Sequence, residues 1–431
     1  MTPLRVAVAG LVALAVAMGI GRFAFTPILP MMLSDRVVDL QAASWLASAN
    51  YIGYLSGAAA LTVQPFVWAR LGRRAVDPPK LVRIGLVATG VLTLAMAAPL
   101  DWTWPTLRFV AGLASALVFV YSSGWCLARL AAMGRASLGG LMFAGPGAGI
   151  VASGLLAHEM VGLKRSAADA WLVFGVAACV LTAFVWRTFK TTATAASPSA
   201  TAAPSARRAV NPASPSPSPS PSPSPSPSPS LAHAPLPSAH GRVEVATLAF
   251  AYGLSGFGYI VTATFLPVIA RAALAADSPW LDLFWPIFGA GVIVGALLAT
   301  RVRVSGDLRL VIAAAYVVQA IAIAISVGLP TAAGFAIGSL LLGLPFTAIT
   351  YFALQEVRRL QPAHVAATTG LVTVMWSIGQ AAGPPMVSAL LRASGGDAGV
   401  AFTRSLAIAA GALVVGAVVF LAAARIWPRQ R

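Results

Sequence analysis

The sequence predicts an all-α membrane protein: twelve transmembrane helices in two pseudo-symmetric six-helix bundles. Three observations carry that expectation. Hydrophobic residues make up 58% of the 431 residues and charged residues only 10%, whereas soluble folds carry roughly a quarter charged residues to cover their surface. The apolar residues come in blocks of about 20 or more, the length that crosses a hydrocarbon core. The basic residues collect in the loops on alternate sides of those blocks, which is a topology signal. The net charge of +17 is accounted for in this way, and no nucleic-acid partner is expected.

The predicted spans are 5–33, 41–64, 80–99, 103–128, 136–159 and 168–188, then 243–272, 280–300, 308–328, 331–354, 364–391 and 401–425. Arg5 ahead of the run Val6 to Ile20 resembles a signal peptide. The run continues through Phe23 and Pro27 to Leu33, too long for such a segment, so it reads as an uncleaved first helix. Backbone polar groups in lipid must be satisfied within the segment, so each block is expected to be helical despite its glycines and prolines. Of the 29 Lys and Arg, 21 fall on the side of the termini, six fall on the other, and Arg22 and Arg108 lie within spans. That bias predicts a bacterial inner-membrane protein with both ends in the cytoplasm.

Residues 189–241 are of another kind. An unbroken Ser-Pro alternation runs from Ser214 to Ser230, and such a sequence is extended and solvated, forming neither helix nor sheet. It reads as a cytoplasmic spacer, with a proline-motif ligand as the alternative, between a bundle at 1–188 and one at 242–431. The halves repeat. Gly19, Gly21, Leu29 and Pro30 recur at one constant offset as Gly256, Gly258, Leu266 and Pro267. Arg129, Gly140 and Gly149 recur as Arg359, Gly370 and Gly379 at a second, slightly smaller offset, as a shorter loop in the second half would produce. Two repeats in the same orientation are the sign of a two-lobed carrier with its site at the lobe interface.

These features resemble the major facilitator superfamily over essentially all twelve spans. The loop Arg70-Leu71-Gly72-Arg73-Arg74 is similar to the superfamily's gate loop, with Pro65 and Ala69 where its first Gly and its Asp would stand. Arg108 to Gly112 is similar to its R-x-x-x-G pattern, and Gly145-Pro146-Gly147-Ala148-Gly149 to the antiporter-associated G-P-x-x-G. More narrowly, the first span from Gly19 to Pro30 resembles the YbfB/YjiJ-type branch. So do Asn50 to Gly57, and Gly379-Gln380 with Gly383-Pro384. The resemblance implies the major facilitator fold and alternating access, with gating or coupling roles at Arg70, Gly72, Arg73, Arg74, Arg108, Gly112, Gly145, Pro146 and Gly149. It names no cargo.

Charge inside a membrane is costly, about 2.5–3.5 kcal/mol for an arginine at a helix centre, so Arg22 and Arg108 stand out. Arg22 either faces the cavity and pairs with an anionic group of the solute, or caps carbonyls freed by Pro27, Pro30 or nearby glycines. Arg108 either serves gating or proton relay, or snorkels to the headgroups from its place near the end of the fourth span. No Asp or Glu lies in the middle third of any span, which argues against a cationic cargo and favours an anionic, zwitterionic or neutral one. The expected solute-binding residues are Arg22, Asn50, Tyr51, Tyr54, Tyr259, Tyr351, Trp376 and Gln380, with ordinary packing as the alternative for each. Glycine pairs at 53/57, 145/149, 291/295 and 379/383 allow close helix approach, either sliding between lobes or packing statically. Cys126 and Cys179 read as small buried residues.

His158, His233, His240 and His364 are dispersed, and neither a metal motif nor a phosphate loop is present. The expected partners are a small-molecule substrate, protons and the lipid bilayer, with no cofactor, no metal and no enzymatic activity, and the chain is expected to be a monomer. A transport-fold sensor or assembly partner is the competing reading.

Overall fold

The computed structural model describes residues 1–73, 76–190, 239–301, 306–362 and 365–428. The first bundle holds α1 (Pro3–Leu14), α2 (Phe25–Ser34), α3 (Leu40–Arg70), α4 (Pro78–Ala95), α5 (Trp104–Ala132), α6 (Gly139–Phe143), α7 (Gly145–Gly162) and α8 (Ala167–Trp186). The second holds α9 (Ala239–Ala273), α10 (Phe284–Ala299), α11 (Leu308–Gly328), α12 (Ala332–Gly343), α13 (Phe346–Leu360), α14 (Val365–Ala393) and α15 (Ala398–Ile426). Among the described residues nine segments are long and apolar enough to cross a bilayer, α10 is a shorter apolar helix, and α3 and α14 run for 31 and 29 residues. With α1 and α2, α6 and α7, and α12 and α13 each forming one crossing, the described residues make twelve. An even number of crossings puts the first and last helices' outer ends on one face, called here the terminal face.

Helices start where a short polar side chain can take a free amide of the first turn. Asp39 accepts from the Ala42 amide at 2.6 Å and Asp397 from Val400 at 3.0 Å, while Ser166 and Asp169 form a capping box. The observed α11 coincides with its predicted span at both ends. The helix α9 begins at Ala239, inside the segment expected to be spacer, and the Ser-Pro run itself lies outside the described residues.

The first crossing is not the continuous helix expected. Residues Ala15–Ile20 form a π-turn, in which Gly21 N–H bonds to Val16 O at 2.9 Å and Phe23 N–H to Met18 O at 3.0 Å. Residues 21–24 are turns before α2 resumes the crossing. Pro27 has no N–H to give the Phe23 carbonyl, which instead takes the Thr26 N–H at 3.1 Å. The fifth crossing breaks at Ala144 and the tenth at Leu344 and Pro345.

Across the bundles, α3 packs on α14, α7 on α10, and α2 on α9. The outer surfaces carry apolar side chains, such as Val176, Val180 and Phe184 on α8 and Val414, Val415 and Val418 on α15. Cys126 is buried, but Cys179 is exposed on α8, contrary to the expectation for it. The four glycine pairs pack within their own lobes rather than between them. Gly53 faces the Phe109 carbonyl, Gly149 the backbone of Ala15 and Gly19, Gly291 that of Leu340, and Gly379 that of Gly253. Other small residues make the close contacts between lobes: Gly147 against Gly289, Gly154 against Pro286, Gly140 against Thr300, and Gly370 against Thr62.

The repeat is visible in the packing. Thr26 and Ala263 occupy the same place in the two halves, and Thr26 Oγ1 donates to Ala263 O at 2.7 Å.

Candidate functional site

The turns that interrupt the first crossing carry Arg22 to the lobe interface, where it is 1% exposed. Its Nη2 donates to Gln380 Oε1 on α14 of the other lobe, and Gln380 Nε2 donates to the Tyr259 hydroxyl on α9. The guanidinium carbon lies 4.0 Å from the Tyr54 ring centroid, 5.1 Å from that of Tyr51 and 5.8 Å from that of Trp376. Tyr51 shares a 2.8 Å hydrogen bond with Thr264 across the interface. Arg22 Nε and Nη1 have no hydrogen-bond partner although buried.

Arg108 does not reach the headgroups. It is 2% exposed and runs inward, donating from Nη1 to Gly21 O at 3.3 Å and from Nη2 to Arg22 O at 3.2 Å. These carbonyls sit in the turns where the first crossing departs from regular α-helix. The capping role considered for Arg22 therefore falls to Arg108. Asn50 Nδ2 in turn holds the Arg108 carbonyl at 3.0 Å. All twelve Asp and Glu of the chain lie among the described residues, and among those residues none forms an ion pair with Arg22 or Arg108.

The second lobe contributes a row of rings. Trp285 stacks on Phe288 at 5.2 Å between centroids, Phe288 meets Phe346 at 6.0 Å, and Phe346 meets Tyr259 at 4.8 Å. Tyr259 stacks on Trp376 at 5.7 Å and Trp376 on Tyr252 at 6.1 Å. Phe23, next to Arg22, touches the Trp285 end at 6.1 Å. Of the expected solute-binding residues, Arg22, Tyr51, Tyr54, Tyr259, Trp376 and Gln380 are gathered here. Asn50 lies behind them on the helix backbone, and Tyr351 packs on Phe352 instead.

The expected gating residues are scattered. Arg70 and Arg73 are exposed on the terminal face, Gly72 makes a turn at φ +58° that favours glycine, and Arg74 lies outside the described residues. Gly112 packs on the Asn50 backbone, Gly145 on the Leu11 carbonyl, Gly149 on the first crossing, and Pro146 is buried in the first turn of α7.

Two charged clusters escaped the sequence reading. On the face opposite the termini, His158 of α7 approaches Asp282 of the other lobe at 3.8 Å, and Asp282 also pairs with Arg271. Near the terminal face, Arg309 is 2% exposed and pairs with Asp307 at 2.7 Å and Glu244 at 2.8 Å. It also donates to the Ala423 and Trp427 carbonyls, and Glu356 lies 4.0 Å away. These groups sit close to loops, so the loop bias sorted them as surface charges.

Comparison with known proteins agrees with the fold. The fold is similar to two crystal structures of the nucleoside transporter NupG, one of them a point mutant. Each has a TM-score of 0.64, at 14% and 13% identity, over 98% of this chain and 99% of that one. No curated protein matches the sequence. The family model described as uncharacterised MFS-type transporter YbfB matches residues 14–213 and 222–421. With its helices, lobes and repeat as described, the chain belongs to that family, a multi-pass membrane protein of the major facilitator type.

Proposed function

We propose that the protein is a secondary carrier that moves a small anionic solute across the bacterial inner membrane by alternating access, with both termini in the cytoplasm. The observation that carries this reading is the pair of buried guanidiniums at Arg22 and Arg108 with no carboxylate against either. An unpaired charge in a low-dielectric interior is costly, and an anion that reaches Arg22 relieves that cost. A cation would add to it. The family match supports the carrier reading; NupG, at its low identity, bears on the fold alone, so the cargo is argued from Arg22.

In this reading the solute carboxylate or equivalent group displaces the Gln380 amide oxygen from Arg22. That exchange couples binding to the contact between lobes, because Arg22 and Gln380 belong to different bundles. Thr26 with Ala263 and Tyr51 with Thr264 are further polar ties that part when the face opposite the termini opens. His158 approaches Asp282 across the same interface at 3.8 Å, and protons are the coupling ion of this reading.

Reconstituted vesicles test the proposal. Time-dependent, Arg22-dependent accumulation of an organic anion is expected, driven by an imposed pH gradient. Binding without accumulation would instead mark a sensor.

A further inference from the structure

Resting on that reading, we infer the chemical class of the solute: a monocarboxylate whose remainder is an apolar, ring-sized body bearing no amine. The head group follows from Arg22. Its Nη2 is engaged by an amide oxygen, a neutral stand-in for a carboxylate oxygen, while Nε and Nη1 remain buried donors without acceptors. Planar bidentate donors match a carboxylate. A single carboxylate is indicated because Arg108 spends Nη1 and Nη2 on the Gly21 and Arg22 carbonyls.

The body follows from the row that begins at Trp285 and ends at Tyr252. The row runs through the second lobe beside Arg22, with Trp376 in reach of the guanidinium and Phe23 joining Arg22 to the Trp285 end. Rings are matched best by flat, apolar partners that can stack or meet them edge-on. An amine is excluded by the same charge argument. No Asp or Glu faces the site, so an ammonium would be buried beside two guanidiniums with nothing to balance it.

The test is a binding series on the purified full-length protein, read by thermal shift and by quenching of tryptophan fluorescence. The probes are benzoate, phenylacetate, acetate, benzyl alcohol, benzylamine and phenylalanine. Benzoate or phenylacetate is expected to bind at least tenfold tighter than each of the others, and Arg22→Gln is expected to abolish the difference between benzoate and benzyl alcohol. Trp376→Leu is expected to weaken the aromatic acids and leave the response to acetate unchanged.

Phenylalanine binding as well as benzoate, or acetate matching both aromatic acids, overturns the class. So does an absence of binding by either aromatic acid. If Arg22→Gln removes binding of acetate or another anion while the aromatic acids give none, the class is wrong and the anion-carrier reading stands. If every probe binds equally to wild type and Arg22→Gln, the Arg22 site itself fails, and the carrier reading falls with it.

Discussion

Replacing Arg22 by Gln separates a functional charge from a structural one, because the two predict opposite balances of stability and affinity. In the unliganded protein the buried charge costs about 2.5–3.5 kcal/mol. Against that stand a desolvated cation–π contact with Tyr54 at 4.0 Å, worth about 2 kcal/mol, and a charged hydrogen bond to Gln380, worth about 1.5–3 kcal/mol. Glutamine removes all three together. The opposing contributions largely cancel, so a net loss of stability of no more than about 2.5 kcal/mol is expected, read as a modest shift of the unfolding midpoint in detergent. The liganded state behaves differently. Deleting one partner of a desolvated charge pair costs about 2–5 kcal/mol, or roughly 30- to 4,000-fold in affinity. Arg108→Gln is the control, since it leaves the Gly21 and Arg22 carbonyls without donors at about 1–3 kcal/mol each, and it is expected to lower stability first. An Arg22→Gln protein destabilised by more than about 4 kcal/mol, an exceptional loss of the kind that breaking a buried network produces, or one that binds anions normally, refutes the reasoning.

Four further measurements probe the rest of the structure. In Gly149→Ala the new Cβ would lie 2.6 Å from the Ala15 carbonyl oxygen within one lobe, so a loss of about 1–3 kcal/mol in stability is expected; an unchanged midpoint would show that α7 can retreat freely. In Gly154→Ala the Cβ would lie 2.5 Å from Pro286 Cδ across the lobes. Folding is expected to survive while cysteine labelling from the opposite face increases, and unaltered labelling would contradict the assigned contact. On the same face His158 approaches Asp282 of the other lobe at 3.8 Å, a contact that should help to hold it closed. His158→Gln is expected to raise labelling from that face and His158→Arg to lower it; wild-type labelling in both rejects the pair. Arg309→Gln strips a 2% exposed cation from Glu244 and Asp307 and is expected to destabilise the second lobe by about 3–5 kcal/mol. Normal expression and unfolding would show that the cluster is dispensable.

What could be read from the sequence divides along physical lines. Span positions were legible because each depends only on its own hydrophobicity and caps; α11, between Asp307 and Gly328, coincides at both ends. The repeat was legible because equivalent glycines, Gly149 and Gly379, each pack closely on the first crossing of their own lobe, at Gly19 and at Gly253. Arg22 stood out because its charge lies far from either loop. The break at residues 15–24 was not legible, since the same glycines and prolines occur in unbroken crossings such as α14 with Pro384 and Pro385. Without the break, no internal acceptors for Arg108 could be foreseen, and snorkelling was the natural expectation. Arg309 was hidden by its place at the start of α11, where a count of loop charges cannot distinguish inward from outward. Tyr351 lies on a crossing that reaches the site through Phe346, one turn nearer the break at Pro345.

The offset that relates Thr26 to Ala263 also places Tyr259 of the second lobe where the first has Arg22, and one amide, that of Gln380, joins both side chains. Two mirrored walls of equal make would accept a guest either way round. Here one wall is cationic and its counterpart phenolic, so the compartment has a polarity built from a single divergence between duplicated positions. A guest would keep its charged end toward the amino-terminal lobe throughout the cycle, and the two lobes would hold opposite ends of it when they part.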